Sequence, residues 1–436
     1  MSRPTPEKTR GQNRGQIPGL AARLAAVGQV GDVLDRRLML DESRLALTPA
    51  ERAEASSLAD LTLRRLGQID ALIGHFVPRM PKPPVNHVLR VMTAELIHAG
   101  TAPHAAVDMA VRAVKQAGAP KMAGLINAVG HKLSREGADL AIGLDPALNM
   151  PDWLTKRLTR DWGRETTQAI ALAHLQPAPH DLTLRGAPVD GLEATALPNG
   201  SQRLTARPQI SALPGFAEGA WWAQDAAASL PAMLLGPVAG RRALDLCAAP
   251  GGKTLQLAAM GAKVTALDIS EKRLKRLHEN LARMGLGAEI AVADARKWTP
   301  EATFDAILLD APCSATGTIR RHPDLPHRFR DGDLQKLYQL QSDLLDRAFQ
   351  WLAPGGRLVY CTCSLLKSEG EGQIRRALDR ISDARTDDAI GETGLQAAFR
   401  GLDWSPETAT LRTRPDHWAE QGHLDGFFAA RLRRRD

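Results

Sequence analysis

The sequence predicts a multidomain chain. An all-α bundle is followed by a small α+β connector and then an α/β domain on a doubly wound, mostly parallel sheet. Three observations predict this. The chain has 436 residues, more than the roughly 250–300 that a single core serves. The first third shows apolar residues only at helical spacing. From residue 240 onward, short apolar runs ending in Asp or Cys alternate with helical stretches.

The elements follow in order. Residues 1–17 are rich in Gly, Gln, Arg and Pro and read as a disordered basic arm. Residues 18–145 read as helices. Val88, Val91, Met92 and Leu96 fall at i, i+3, i+4 and i+8, and Val107, Ala110, Val111 and Val114 at i, i+3, i+4 and i+7. Pro81, Pro83 and Pro84 separate two helices, and Pro103 and Pro120 bracket another. His87, His98 and His104 read as structural there. Residues 146–215 read as the connector, with Trp153 and Trp162 on a helix and Leu182 and Leu184 on a short strand. Pro214-Gly215 marks its end.

Residues 216–436 hold the sheet. Strands are expected at 243–247, 264–267, 288–292, 304–309 and 357–361, with helices over 271–284 and 334–352. An antiparallel pair near 410–413 and 426–432 completes a seven-stranded sheet.

Composition narrows the function. The hydrophobic share of 44% and charged share of 24% exclude a mainly disordered or collagen-like chain. No run of about 18 apolar residues predicts a membrane span. Met1–Gly15 lacks the apolar core of an export signal. Four cysteines are too few for a disulfide scaffold, so a reducing, cytoplasmic setting is expected. The net charge is +7, of which residues 1–215 carry +6 and residues 216–436 carry +1. A basic excess of this kind permits a polyanionic partner.

The chemistry sits at strand ends, where open α/β sheets bind their ligands. The turn Ala248-Ala249-Pro250-Gly251-Gly252-Lys253-Thr254 follows the first strand. It matches neither a P-loop nor a G-x-G-x-x-G fingerprint. Asp268 ends the second strand and suits a ribose diol. Asp294 follows the third and can accept from an adenine amino group. Uncompensated acids disfavour phosphate and favour a cationic nucleoside, which points to S-adenosylmethionine. Cys313 follows the fourth strand and Cys363 the fifth. Neighbouring strands lie about 5 Å apart, so both thiols can reach one pocket. No His or Cys spacing suits zinc, and no metal is expected.

Two thiols beside a methyl donor suit cytosine C5. A thiolate adding at C6 makes C5 nucleophilic, and a second group then assists removal of the C5 proton. Asp310 can bind the cytosine edge. Lys253 can lower a thiol pKa or face solvent. Either thiol can be the nucleophile on this reasoning. Cys361 reads as core, on the opposite strand face from the site.

Asp245-Leu246-Cys247-Ala248-Ala249-Pro250-Gly251-Gly252-Lys253-Thr254 resembles the cofactor loop of the RsmB/Sun family of RNA cytosine-C5 methyltransferases. So do Asp310-Ala311-Pro312-Cys313-Ser314-Ala315-Thr316-Gly317, Arg320-Arg321-His322-Pro323-Asp324 and Thr362-Cys363-Ser364. Pro214-Gly215-Phe216 with Gln224-Asp225 resembles the stretch before the first strand. Thr101-Ala102-Pro103-His104-Ala105-Ala106-Val107 and Gly124-Leu125-Ile126-Asn127-Ala128-Val129 resemble the NusB-like RNA-binding domain found in small-subunit rRNA members.

The resemblance implies a Rossmann-like class I methyltransferase domain. It implies Cys363 as nucleophile and Cys313 as the thiol that helps release product. Cofactor contacts are implied from Cys247, Ala248, Ala249, Pro250, Gly251, Gly252, Lys253, Asp268, Asp294 and Asp310. Arg320, Arg321 and His322 become candidate RNA contacts, as an alternative to a salt-linked loop. The implied partner is small-subunit rRNA, bound by a monomer. Gly130-His131-Lys132 is less basic than the family pattern. The rivals are the same chemistry on tRNA or large-subunit rRNA, a non-catalytic rRNA-binding assembly factor, and amino-group methylation. The last usually needs a polar-Pro-Pro-aromatic motif, where this chain has Asp310-Ala311-Pro312-Cys313.

Overall fold

The structure, a computed structural model, describes residues 19–387, 396–405 and 407–436. The basic arm expected over residues 1–17 lies outside them. The chain divides into two compact units after Asn149.

The first unit is helical. Its helices are α1 (Leu20–Arg36), α2 (Pro49–Arg64), α3 (Leu66–Phe76), α4 (Val85–Ile97), α5 (Pro103–Gln116) and α6 (Ala123–Ala141). Thr48 caps α2 in a reciprocal pair with Glu51. Pro103 opens α5, where its missing N–H costs nothing. Val88, Val91, Met92, Val107, Ala110 and Val114 all enter one apolar core. Gly130 allows α6 to approach α5, since a Cβ there would lie 2.6 Å from Val107 Cγ2. His87 is buried against Asp35, 2.9 Å from its carboxylate. Burial, with Arg65 nearby, pushes His98 down to about 4, so it is neutral at pH 7.

The second unit contains two sheets. Helices α7 (Asp152–Trp162) and α8 (Arg164–His174) lead into β1 (Asp181–Leu184), β2 (Ala194–Ala196), β3 (Gln202–Leu204) and β4 (Trp221–Ala223). These four strands form an antiparallel sheet in the order β2-β3-β1-β4. Arg203 and Asp181 pair inside it at 2.7 Å, both nearly inaccessible. Asp181 also accepts from the Ala226 N–H, which ties this sheet to the next helix.

The larger sheet begins after α9 (Ala226–Leu234). It uses β5 (Arg242–Leu246), α10 (Gly252–Ala259), β6 (Lys263–Asp268), α11 (Glu271–Met284), β7 (Glu289–Val292) and β8 (Phe304–Asp310). There follow α12 (Leu325–Arg328), α13 (Leu334–Gln350), β9 (Leu352–Thr362), α14 (Glu371–Arg380), β10 (Ala384–Thr386), β11 (Asp403–Ser405), β12 (Thr410–Thr413) and β13 (Phe427–Arg434). The strand order is β11-β12-β13-β9-β8-β5-β6-β7, with β10 pairing β13. Strands β5 to β9 pair in parallel. Strand β13 runs antiparallel to β9. Among the described residues the sheet has nine strands, not the seven expected. The extra two, β10 and β11, have three residues each, too few to show an alternating pattern.

The sheet is wound on both faces. Leu344, Leu345 and Phe349 of α13 pack on Leu244, Ile307 and Leu358. Leu230, Leu234 and Leu257 of α9 and α10 pack on Ala243, Leu308 and Val359. The order reverses between β8 and β5, which leaves a crevice at their carboxyl ends.

Candidate active site

The crevice is built from the strand ends inward. Pro312 follows β8 and has no N–H to extend a ladder. The chain therefore leaves the sheet at Asp310, whose backbone partner on β9 is Cys361. Two residues past Cys361 stands Cys363, and three past Asp310 stands Cys313. Their sulfurs are 3.5 Å apart. Sequence placed these thiols on neighbouring strands, and the structure brings them together.

The two sulfurs are not equivalent. The contact with Cys363, then burial, then the charges of Cys363 and Glu369 push the Cys313 thiol well above its ordinary range. Burial pushes Cys361 up as well, with Asp310 adding to it. Cys361 lies in the core, as expected, yet its sulfur is 3.6 Å from Asp310 Oδ1. The strand's alternation does not remove it from the site.

Asp310 is held on its other oxygen. Lys253 Nζ donates to Oδ2 at 2.9 Å and lies 5.1 Å from the centre of the Phe427 ring. Burial alone would push Lys253 down, but Asp310 outweighs it and holds the ammonium above its ordinary range. Lys253 therefore stays charged, and its hydrogen-bond partner is the Asp310 carboxylate rather than either thiol of the Cys313–Cys363 pair.

The loop after β5 forms a cavity of about 320 Å³ lined by Asp245, Cys247, Ala248, Lys253, Asp310 and Phe427 among others. Gly251 caps α10 with φ 113°, and a Cβ there would lie 2.5 Å from Leu277. Only glycine fits that turn. Cys247 also has positive φ. Burial and the charges of Asp310, Asp268 and Asp245 push its thiol up, which makes it a poor nucleophile.

Asp245 was not singled out by sequence, though a carboxyl inside an apolar strand is a signal. It is fully inaccessible. Thr254 Oγ1 donates to Oδ2 at 2.5 Å, while Oδ1 is buried with no partner. Burial lifts its pKa to about 7. An orphaned acceptor lining a cavity invites a cationic or hydrogen-bonding ligand.

A second lobe of about 170 Å³ holds Asp268, Asp294, Cys247 and Ile269. The Ala249 N–H donates to Asp268 Oδ2 at 3.0 Å and the Ser270 N–H to Oδ1 at 2.9 Å. Asp294 is bound by Arg296, 2.7 Å away, whose hydrogen bonds hold its carboxyl low. Cys247 borders both lobes.

Arg320, Arg321 and His322 separate. Arg320 is buried and donates to the carbonyls of Gln176, Gly422 and Leu424. Arg321 bridges Asp225 at 2.6 Å and Asp425 at 2.7 Å. His322 is exposed. The two arginines thus hold the loop together, and the histidine is the member of the three on the surface.

A larger cavity of about 510 Å³ lies between the four-stranded sheet and α9–α10. Its Asn199, Ser229 and Gln256 are engaged with neighbouring groups in the fold, and it contains none of the thiols. Among the described residues, no group of three or more His, Cys, Asp or Glu can hold a metal ion. No described helix is long and apolar enough to cross a membrane.

A doubly wound sheet with this acid-lined loop and paired thiols defines a Rossmann-like methyltransferase, here carrying a helical NusB-type unit. Residues 232–433 match the family "16S rRNA methyltransferase RsmB/F", and residues 21–135 match the NusB family. The ribosomal RNA small subunit methyltransferase B of Escherichia coli O1:K1 / APEC is 37% identical over 407 residues, 88% of this chain and 90% of that protein. The protein of the same name from Salmonella typhi gives the same figures. The chain belongs to the RsmB/F family of rRNA methyltransferases.

Solved structures agree on the fold. PH0851 aligns with a TM-score of 0.73 at 24% identity, covering 96% of this chain and 99% of that one. A methyltransferase homologue from Pyrococcus horikoshii aligns at 0.54 with 28% identity, covering 67% of this chain and 98% of that one.

Proposed function

We propose that this chain forms 5-methylcytosine in small-subunit rRNA, with S-adenosylmethionine as methyl donor and Cys363 as the nucleophile. The 3.5 Å spacing of Cys313 and Cys363 carries the reading. Relatives named for small-subunit rRNA methylation support the substrate class.

The residues fit the cofactor. Asp268 presents a buried carboxylate to its lobe for a ribose diol, and Asp294 faces the same lobe. Asp245, with its unpartnered Oδ1, gives the larger lobe a free acceptor, whereas Asp310 and Asp294 are paired with Lys253 and Arg296, so the acids are not uncompensated as expected. Gly251 and Gly252 let a ligand approach the backbone. The bound cofactor supplies an electrophilic methyl group.

The chain's own residues do the rest. Cys363 adds through sulfur to cytosine C6, which turns C5 into an enamine carbon. Asp310, steadied by Lys253, binds the cytosine edge where charge changes during addition. The C5 proton then passes to Cys313 Sγ in its thiolate form, and the electron pair it leaves restores the C5–C6 double bond and expels Cys363 as a thiolate. Cys313, whose sulfur lies 3.5 Å from the departing one, is the base of that release.

Bisulfite sequencing of rRNA from a strain lacking the chain tests this. The reading predicts one or more small-subunit cytosines that lose protection and regain it on complementation. Unchanged small-subunit rRNA with a lost mark in tRNA or the large subunit would reassign the substrate.

A further inference from the structure

We propose that Glu369 is a positioning residue that sets the distance between Cys313 and Cys363. This rests on the two-thiol reading above. Glu369 lies six residues past the nucleophile, is fully inaccessible and makes no ion pair among the described residues. Its carboxylate receives donors from both thiol-bearing loops. The Ser314 N–H donates to Oε1 at 3.0 Å, and the Ser314 hydroxyl donates to Oε2 at 2.5 Å. The Ser364 hydroxyl donates to the same Oε2 at 2.5 Å. Ser314 follows Cys313 in sequence, and Ser364 follows Cys363.

A third element completes the arrangement. Gln341 of α13 donates to Glu369 Oε1 at 2.8 Å and to the Pro312 carbonyl at 2.9 Å. Gln373 of α14 donates in turn to Gln341 Oε1 at 3.0 Å. Ser314, Thr316, Gln341, Ser364 and Gln373 are all at most 1% exposed. Burying a carboxylate without a cation is costly, and four charge-assisted hydrogen bonds offset that cost. Three of the four bonds fix both cysteine loops to one group, and the fourth ties it to α13. A surface salt bridge would give no such register.

The arrangement also orders protons. Both serine hydroxyls point their hydrogens at Oε2. Ser364 Oγ can then accept from the Leu366 N–H at 3.1 Å, and Thr316 Oγ1 accepts from the Leu365 N–H at 3.0 Å. The backbone after the nucleophile is thereby fixed as well. The nearby negative charge of Glu369 is among the factors that push the Cys313 thiol up.

The test compares Glu369→Ala with Glu369→Gln in the full-length protein. A glutamine can keep its oxygen toward the Ser314 N–H and Gln341. Its amide N–H groups can then donate to Ser314 Oγ and Ser364 Oγ after the hydroxyls rotate. Two readouts are needed. One is the single-turnover methylation rate against the RNA concentration at half-maximal rate. The other is the pH profile of iodoacetamide alkylation, with the modified cysteine located by peptide mass spectrometry.

Glu369→Ala should lower the single-turnover rate about 100-fold, as a misplacement of about 1 Å does, with RNA affinity little changed. It should also move the alkylation profile and expose Cys313 to reagent. Glu369→Gln should recover most of the rate and the wild-type profile. An unmoved alkylation profile in Glu369→Ala, or a glutamine variant as impaired as the alanine one, would overturn the proposal. If Glu369→Ala fails to fold, Gln341→Ala removes one of the four bonds and should shift the profile the same way; no shift overturns it. A moved profile with methylation indifferent to both Glu369 and cysteine variants would leave the positioning role standing and reject the two-thiol chemistry instead.

Discussion

Replacing Asp245 by Asn should remove a specific pH dependence from the stability of the second unit. In the folded chain this carboxyl is inaccessible, and burial lifts its pKa to about 7 from an ordinary 3.8. The hydrogen bond from Thr254 and the charge of Lys253 offset only part of that. Below the unfolded value, both states hold the proton and the group contributes no penalty. As pH rises from about 4 to 7, the unfolded chain releases it while the folded chain keeps it. Stability is lost across that window and the loss levels off above pH 7. At about 1.4 kcal/mol per unit, the full loss is up to about 4 kcal/mol.

Asparagine cannot titrate, so this loss should vanish. A buried amide N–H without a partner adds a cost of its own, but that cost is constant with pH and cancels in the comparison. Urea unfolding of the cofactor-free protein, followed by tryptophan fluorescence, is the assay. All eight tryptophans lie between residues 153 and 418, so the signal reports the second unit. Wild type minus Asp245→Asn should fall by up to about 4 kcal/mol between pH 4 and pH 8. Parallel curves would refute the burial argument.

Two further predictions use other parts of the chain. A Cβ at Gly317 would lie 1.9 Å from the Gly426 carbonyl oxygen, and the Gly317 N–H donates to the Cys363 carbonyl. Gly317→Ala should therefore destabilise the second unit by about 3 kcal/mol, the upper end for overpacking, and reduce covalent RNA capture, read by urea unfolding and by gel. Deleting residues 1–149 removes most of the positive excess. It should weaken rRNA binding and flatten its salt dependence while leaving S-adenosylmethionine affinity unchanged; equal losses in both titrations would contradict this division of labour.

Much of this was legible before the structure. Helical spacing placed α4 and α5 because one face of each enters the same core. Apolar runs ending in Asp or Cys placed β5, β6 and β8 because parallel strands are covered on both faces. The thiols could meet if their strands were neighbours, and the β8–β9 pairing makes them so. What was hidden depends on partners distant in sequence. Strands β10 and β11 exist through pairing with β13 and β12, not through their own residues. Arg320 looked available to a substrate, yet backbone carbonyls more than 100 residues away engage it. Glu369 carries no local mark at all. Its partners Ser314 and Gln341 are 55 and 28 residues distant, and only the closed fold makes it the group that joins both thiol loops.

Cytosine-C5 chemistry through two unequal thiols is the central claim, and trapping the enzyme on its RNA tests it most directly. Purified Cys313→Ala and Cys363→Ala variants, incubated with small-subunit rRNA and S-adenosylmethionine, are resolved on denaturing gels. The account predicts a covalent protein–RNA band that accumulates with Cys313→Ala and is absent with Cys363→Ala. The reverse pattern would exchange the roles of the two sulfurs, and no band with either variant would contradict the mechanism.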